Sequence, residues 1–300
     1  MTTLLTIVGH RDLPGHVPTA GPVGHRLAAR LVSAGEAVRV LAPPSEAGGW
    51  PDGVEVVVGD VARPAESAAA FAGIRRLFLS GAVPGTAYEL VTLARQGGAE
   101  HIVVLSSHGP EFEIQYEPEA WHWLAVEVVA ERSGARWTHL RPSPVMAHQT
   151  LQDGYSYTRS NWADVIKHGG VIREPYADAR YPLIHEDDLA AVAVELLADD
   201  RYAGRTVTAY GPPISPREQV RLIGQALGRE IPFEEITPEQ AAERDREAGV
   251  AEELIALGHS VSADLLADPM EPDDTVARVL GRPPRGYAEW LAGNLDAFLP

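Results

Sequence analysis

The residues of this chain best suited to chemistry are its glycines, histidines and a few placed carboxylates. A dinucleotide-binding turn needs glycines between a first strand and its helix. The backbone must turn tightly there and bring the helix N-terminus up to the pyrophosphate charge. Gly9 ends an apolar run and Gly21-Pro22-Val23-Gly24 opens a helical pattern, but eleven residues, His10 to Ala20, lie between them. The usual fingerprint spaces its first two glycines by only about one or two residues. The stretch His10-Arg11-Asp12-Leu13-Pro14-Gly15-His16-Val17-Pro18 therefore reads as an insertion that either arches over a dinucleotide or takes its place, with Arg11 and His16 near the mouth. Gly59-Asp60, Ser80-Gly81 and Ser106 follow later apolar runs, so the candidate cofactor-binding set is Gly9, Gly21, Gly24, Asp60, Ser80, Gly81 and Ser106. After the second run, where an acid binds the adenosine ribose or an Arg accepts a 2′-phosphate, the chain has Leu41-Ala42-Pro43-Pro44. Glu46 or the inserted Arg11 could swing in there.

Acid–base candidates cluster after the fifth apolar run: His108, Glu111, Glu113, Tyr116 and His122. An imidazole titrates near neutrality without special tuning, which makes His108 the first candidate for a general acid or base, with Tyr116 and His122 beside it. The same histidine read as a solvated loop residue is an equal alternative. Tyr116 is followed four residues on by Ala120, so the Tyr–Lys pair that lowers a phenol pKa is missing. In Trp121-His122-Trp123 neighbouring residues cannot share a helix face, so at most one Trp points inward. His185-Glu186-Asp187-Asp188 resembles a metal cluster, yet its place before an apolar helix favours capping by Asp187 or Asp188. His10, His16 and His25 lack a carboxylate or thiolate at recognised metal spacing, and Ser106-Ser107 lacks a glycine-flanked elbow, so neither a metal site nor a serine nucleophile is expected.

Composition narrows the classes. The 25 Lys+Arg against 42 Asp+Glu leave a net charge of −17, which argues against a nucleic-acid partner. Without cysteine, disulfides and thiolate chemistry are excluded. The apolar start, Met1 to Val8, is too short for a signal peptide or a membrane span. A cytoplasmic protein with a small-molecule substrate and no membrane partner is the expectation; its oligomeric state is unspecified.

The elements that must position these residues alternate. Short apolar strands are expected at Leu4 to Val8, Ala37 to Leu41, Val54 to Val58, Arg76 to Ser80, Ile102 to Ser106, Trp137 to Arg141 and Thr206 to Tyr210. Helical patterns separate them at Val23 to Gly35, Pro64 to Phe71, Ala87 to Gln96, Glu119 to Arg132 and Leu189 to Leu197. This alternation predicts an α/β fold, a doubly wound parallel Rossmann sheet. Residues 1–148 and 182–210 form that domain; residues 149–181 and 211–300 form a smaller, mostly helical substrate lobe over the sheet's C-terminal edge, broken at Pro232, Pro238, Pro269, Pro272 and Pro283-Pro284.

Several segments, in this order and spacing, resemble the NmrA-like group of atypical short-chain dehydrogenases/reductases over almost the whole chain. They are Gly53 to Asp60, Val104 to Ser107, Ser133 to Pro142, Ile184 to Ala193, Ala203 to Thr206 and Gly281 to Pro284. Of the family's compact glycine loop only Ala20-Gly21-Pro22-Val23-Gly24 is matched, and Pro43 stands where many members carry Arg. The resemblance implies an NADP- or NAD-dependent oxidoreductase acting on a small apolar or aromatic carbonyl or enone, with Gly9, Gly21 and Gly24 shaping the cofactor loop and His108 or Tyr116 donating a proton. Two alternatives stay open. One is a cofactor-free cyclase, dehydratase or isomerase using histidine acid–base chemistry; the other is a non-catalytic redox or ligand sensor.

Overall fold

The structure, a computed structural model, describes residues 1–7, 21–108, 119–150, 162–271 and 273–300. Gly9, the inserted segment from His10 and Tyr116 with its neighbours Glu111 and Glu113 lie outside the described residues. In chain order the elements begin with β1 (Thr2–Thr6), α1 (Gly24–Ser33), β2 (Ala37–Ala42), β3 (Glu55–Val58), β4 (Arg76–Leu79), α2 (Pro84–Gln96), β5 (His101–Leu105), α3 (Glu119–Glu131) and β6 (Arg136–Pro142). Then come α4 (Trp162–Lys167), β7 (Ile172–Glu174), β8 (Tyr181–Pro182), α5 (Glu186–Ala198) and β9 (Arg205–Ala209). The last are β10 (Pro213–Ile214), α6 (Pro216–Leu227), β11 (Phe233–Glu235), α7 (Pro238–Glu247), α8 (Glu252–Ala267), α9 (Thr275–Leu280) and α10 (Tyr287–Asn294).

Seven of the strands form one sheet in the order β3-β2-β1-β4-β5-β6-β9, parallel throughout. This is the doubly wound Rossmann order that the alternation predicts. Leu4, Leu5, Ile102 and Val103 are fully buried, as strands covered on both faces require. One face packs Phe71, Ile74, Leu77, Leu90, Ala94, Val104 and Val126 into a continuous apolar cluster. Pro64–Phe71, read from sequence as a helix, is a 3-10 turn kinked at Ser67. Gly97, at the end of α2, lies so close to it that a Cβ would collide with the Phe71 carbonyl.

The chain divides into two compact units. The first comprises Met1–Ser143, Glu186–Ala209 and Thr275–Pro283, and holds the seven-stranded sheet; the second comprises Pro144–His185, Tyr210–Asp274 and Pro284–Pro300. The sequence reading placed α9 in the lobe, but it belongs to the sheet unit. The reason is local: Arg282, just beyond α9, pairs at 2.6 Å with the fully buried Asp188 of α5. The second unit has its own core of Met146, Trp162, Ile223, Trp290 and Phe298. Two of its helices start with capping boxes, Ser215/Glu218 on α6 and Thr237/Gln240 on α7, each with Pro at the first helical position. Pro238, expected from sequence to break the chain, thus begins a helix, because its missing N–H is one that no helix start can pair internally.

Candidate active site

In a doubly wound sheet the ligand position is outside the strand carboxyl ends, where the winding reverses between β1 and β4. The two strand ends are locked together. The Thr6 hydroxyl donates to the Ser80 carbonyl at 2.7 Å and accepts from the Ser80 N–H at 2.8 Å. Ser80 is therefore buried by its role in the sheet end, and Gly81, at φ 70°, turns the backbone away toward α2. Thr6 was not in the sequence-derived set; a buried hydroxyl at the end of an apolar strand was its only signal.

The first turn of α1 supplies the second part. Its N-cap, Val23, has no side-chain acceptor, and no acidic residue stands in the first turn. Orphan N–H groups and the positive end of the helix dipole are left without an internal anion. Gly24 is buried at that start, and Gly21, at φ 75°, has open space where a Cβ would stand. The Gly21 N–H donates to His25 Nδ1 at 2.9 Å. An uncapped start without a carboxylate, reached through a glycine in the left-handed region, fits a dinucleotide pyrophosphate.

Asp60 is engaged elsewhere. Its carboxylate accepts from Ala62 N–H at 2.8 Å and pairs with Arg63 at 3.0 Å, while its own N–H donates to Ser67 Oγ. It caps the turn that follows β3, so its side chain is committed to the fold. Ser106 is buried at the end of β5, with its N–H on the Leu140 carbonyl. It lies beside Glu127, which forms a two-point pair with Arg141 at 2.7 and 3.0 Å. Burial pushes the Glu127 carboxyl up, but the two bonds from Arg141 outweigh it and hold it below the usual carboxylate range. Glu127 and Arg141 escaped sequence reasoning because a carboxylate within an apolar helix shows no partner until the strand beside it is placed.

The two described histidine candidates stand at strand carboxyl ends. Burial pushes His108 down to about 4, against a hydrogen bond to the Pro142 carbonyl that acts in the opposite direction, although the residue as a whole is only half-buried. His122 on α3 is also lowered by burial, opposed by its bond to the Ala82 carbonyl. In each case a ring N–H is given to a backbone carbonyl. Burial thus favours the neutral form of both rings. On the same helix Trp123 is buried and Trp121 is 56% exposed, the one-in, one-out arrangement that neighbouring residues impose.

The remaining candidates resolve into fold contacts. Helix α5 begins at Glu186, so Asp187 and Asp188 lie within its first turn and do not occupy the capping position read from sequence. Arg26 pairs with Glu186 and Asp187 at 3.4 and 3.0 Å. His25 stacks on Trp50 with ring centroids 3.9 Å apart and planes 6° off parallel. Among the described residues, no three His, Asp or Glu side chains are grouped as metal ligands, and no helix is long and apolar enough to cross a membrane.

The profile of the NAD(P)H-binding family matches residues 19–200, beginning next to Gly21. A (4-alkanoyl-5-oxo-2,5-dihydrofuran-3-yl)methyl phosphate reductase from Streptomyces griseus is 31% identical over 292 residues, covering 93% of this chain and 97% of that protein. An NAD(P)H azoreductase from Xenophilus azovorans is 28% identical over 258 residues, covering 82% of this chain and 84% of the other. Among solved structures, a triphenylmethane reductase from Citrobacter sp. superposes with a TM-score of 0.76 at 19% identity, covering 99% of this chain and all of the other. At that identity the likeness speaks for the fold.

Proposed function

Because the chain belongs to the NAD(P)H-binding family, as an NAD(P)-dependent oxidoreductase of the NmrA-like, atypical short-chain dehydrogenase/reductase type, we propose that its acceptor is a small apolar or aromatic compound with a conjugated carbonyl, an enone or quinone. The observation carrying this choice is the state of His108 and His122, both held toward neutrality and both donating a ring N–H to the backbone. A saturated ketone builds alkoxide charge on one oxygen and needs a positioned acid as hydride arrives. A conjugated acceptor spreads that charge over several atoms, so the proton can come from water afterwards. The relatives' names agree in kind: one is a reductase of an alkanoyl-oxo-dihydrofuran, the other of an azo compound.

The dinucleotide, when bound, supplies the hydride. Gly21, Gly24 and the uncapped start of α1 would hold its pyrophosphate, with Ser80, Gly81 and Ser106 at the neighbouring strand ends. His108 and His122 stand beside the carboxyl ends of β5 and β4, where the acceptor molecule would lie. The cofactor-free and sensor alternatives are set aside in favour of this reading, since the family match spans the start of α1 and most of the sheet.

The test is NAD(P)H oxidation on a panel of a benzoquinone, a cyclic enone and the matching saturated ketone. The expected result is turnover of the conjugated acceptors at least about 100-fold above the saturated ketone, a barrier difference of about 2.7 kcal/mol. Faster turnover of the saturated ketone, with a pH profile requiring a protonated group, would overturn the choice of acceptor.

A further inference from the structure

Resting on the dinucleotide reading above, we infer that Glu46 reads the adenosine ribose, positioned by the His25–Trp50 stack, and that the protein therefore prefers NADH to NADPH. Strand β2 ends at Ala42 and runs through Pro43 into a 3-10 turn at Pro44–Glu46. No cation directly follows β2 in the chain, and Glu46 is the first ionisable group beyond it. A carboxylate accepts hydrogen bonds from ribose hydroxyls and repels a phosphate dianion, so its presence sets the direction of preference.

A chain of contacts ties this turn to the phosphate-binding helix. The Trp50 indole N–H donates to the Glu46 carbonyl at 2.9 Å. Its ring stacks on His25, and His25 Nδ1 accepts from the Gly21 N–H at 2.9 Å. Gly49 brings the loop backbone close to the other edge of His25, where a Cβ would stand 3.6 Å from Nε2. Gly21, His25, Trp50 and Glu46 thus form one connected unit that ties the turn after β2 to the start of α1. Trp50 is the positioning residue of this unit and Glu46 the specificity residue.

The nearby described arginines are all committed. Arg26 and Arg30 pair with Asp187, Arg39 with Glu55 and Arg63 with Asp60. Drawing any of them to a 2′-phosphate would break an existing pair. By charge, a 2′-phosphate would meet the Glu46 carboxylate and no uncommitted arginine among the described residues of α1, β2 or the turn after β3.

The experiment is isothermal titration of the full chain with NADH and NADPH separately, for the wild type, Glu46→Gln and Trp50→Leu, with a thermal melt of each. The expected result is NADH binding at least about tenfold tighter than NADPH in the wild type. Glu46→Gln should bring the ratio close to one while leaving the melt unchanged. Trp50→Leu should shrink the ratio too, a change that general loosening of the fold would not produce because both nucleotides would weaken equally. A wild type that binds NADPH as tightly as NADH, or a ratio unmoved by Glu46→Gln, overturns the inference while leaving the dinucleotide reading intact. Binding of neither nucleotide overturns both.

Discussion

Two helix starts in the sheet unit solve the same problem in opposite ways. Every α-helix begins with N–H groups that have no partner within the helix, at the positive end of its dipole. Helix α5 fills its start internally: Glu186, Asp187 and Asp188 crowd the first turn, and Arg26, Arg30 and Arg282 neutralise them. Helix α1 has no acid in its first turn and no capping side chain at Val23, and its approach runs through Gly21 and Gly24. The two helices pack together, and α1 gives Arg26 and Arg30 to the acids of α5 while carrying no acid in its own first turn. A helix start becomes a ligand site when the sequence withholds the groups that would otherwise satisfy it.

The strongest way to break the comparison is at α5. Removing Arg282 takes a charged partner from the Asp188 carboxylate, whose side chain has no solvent exposure, so Arg282→Ala is expected to cost about 3 kcal/mol of stability. Urea unfolding measures this. Combining it with Asp188→Asn should restore most of the loss, and dinucleotide affinity should stay near wild type in the double variant. Next in size, Gly24→Asp gives α1 the acidic start of α5. Dinucleotide affinity should fall about 100-fold, or about 2.7 kcal/mol, by titration. A melt within a few degrees of wild type would show that the loss comes from the anion site.

A smaller effect separates the sheet interior from both helix starts. Burial, aided by the Arg136 charge, pushes His101 of β5 down to about 4. Burial also lowers His139 of β6, against the pull of Glu127 and Glu131. An unfolded histidine takes its proton near pH 6.5, so between pH 6.5 and 4 the unfolded chain holds protons that the folded chain refuses. Stability is complete above that window and declines as pH falls through it. For His101 the expected loss between pH 7 and pH 5 is about 1 to 2 kcal/mol. His101→Gln should flatten the urea midpoint over this range, and an unchanged slope would refute the assignment.

The inner strands of the sheet were legible because runs such as Leu4 to Val8 and Ile102 to Ser106 are short and apolar, and burial on both faces favours that reading of them. Leu4 to Val8 predicts β1 and Ala37 to Leu41 predicts β2 to within two residues at each end. The uncapped glycine start of α1 was legible for the same reason, since Gly21, Val23 and Gly24 are local facts of the chain. The His108 and His122 candidates were legible by type and position but not by protonation, because it is burial by residues brought in from elsewhere in the chain that favours their neutral form, against the opposing pull of the Pro142 and Ala82 carbonyls.

Local sequence therefore determined the order of elements, the layered α/β architecture and the place where a dinucleotide would be met, because strand burial, helix periodicity and glycine conformations are fixed over a few residues. Tertiary structure alone decided which groups are committed to the fold. Asp60 became a cap, the His185-Glu186-Asp187-Asp188 run became the counter-charge for Arg26 and Arg282, and Glu127 found Arg141. Charge pairing and desolvation depend on what stands within a few ångströms, and the chain brings those neighbours together from positions as far apart as Arg26 and Glu186.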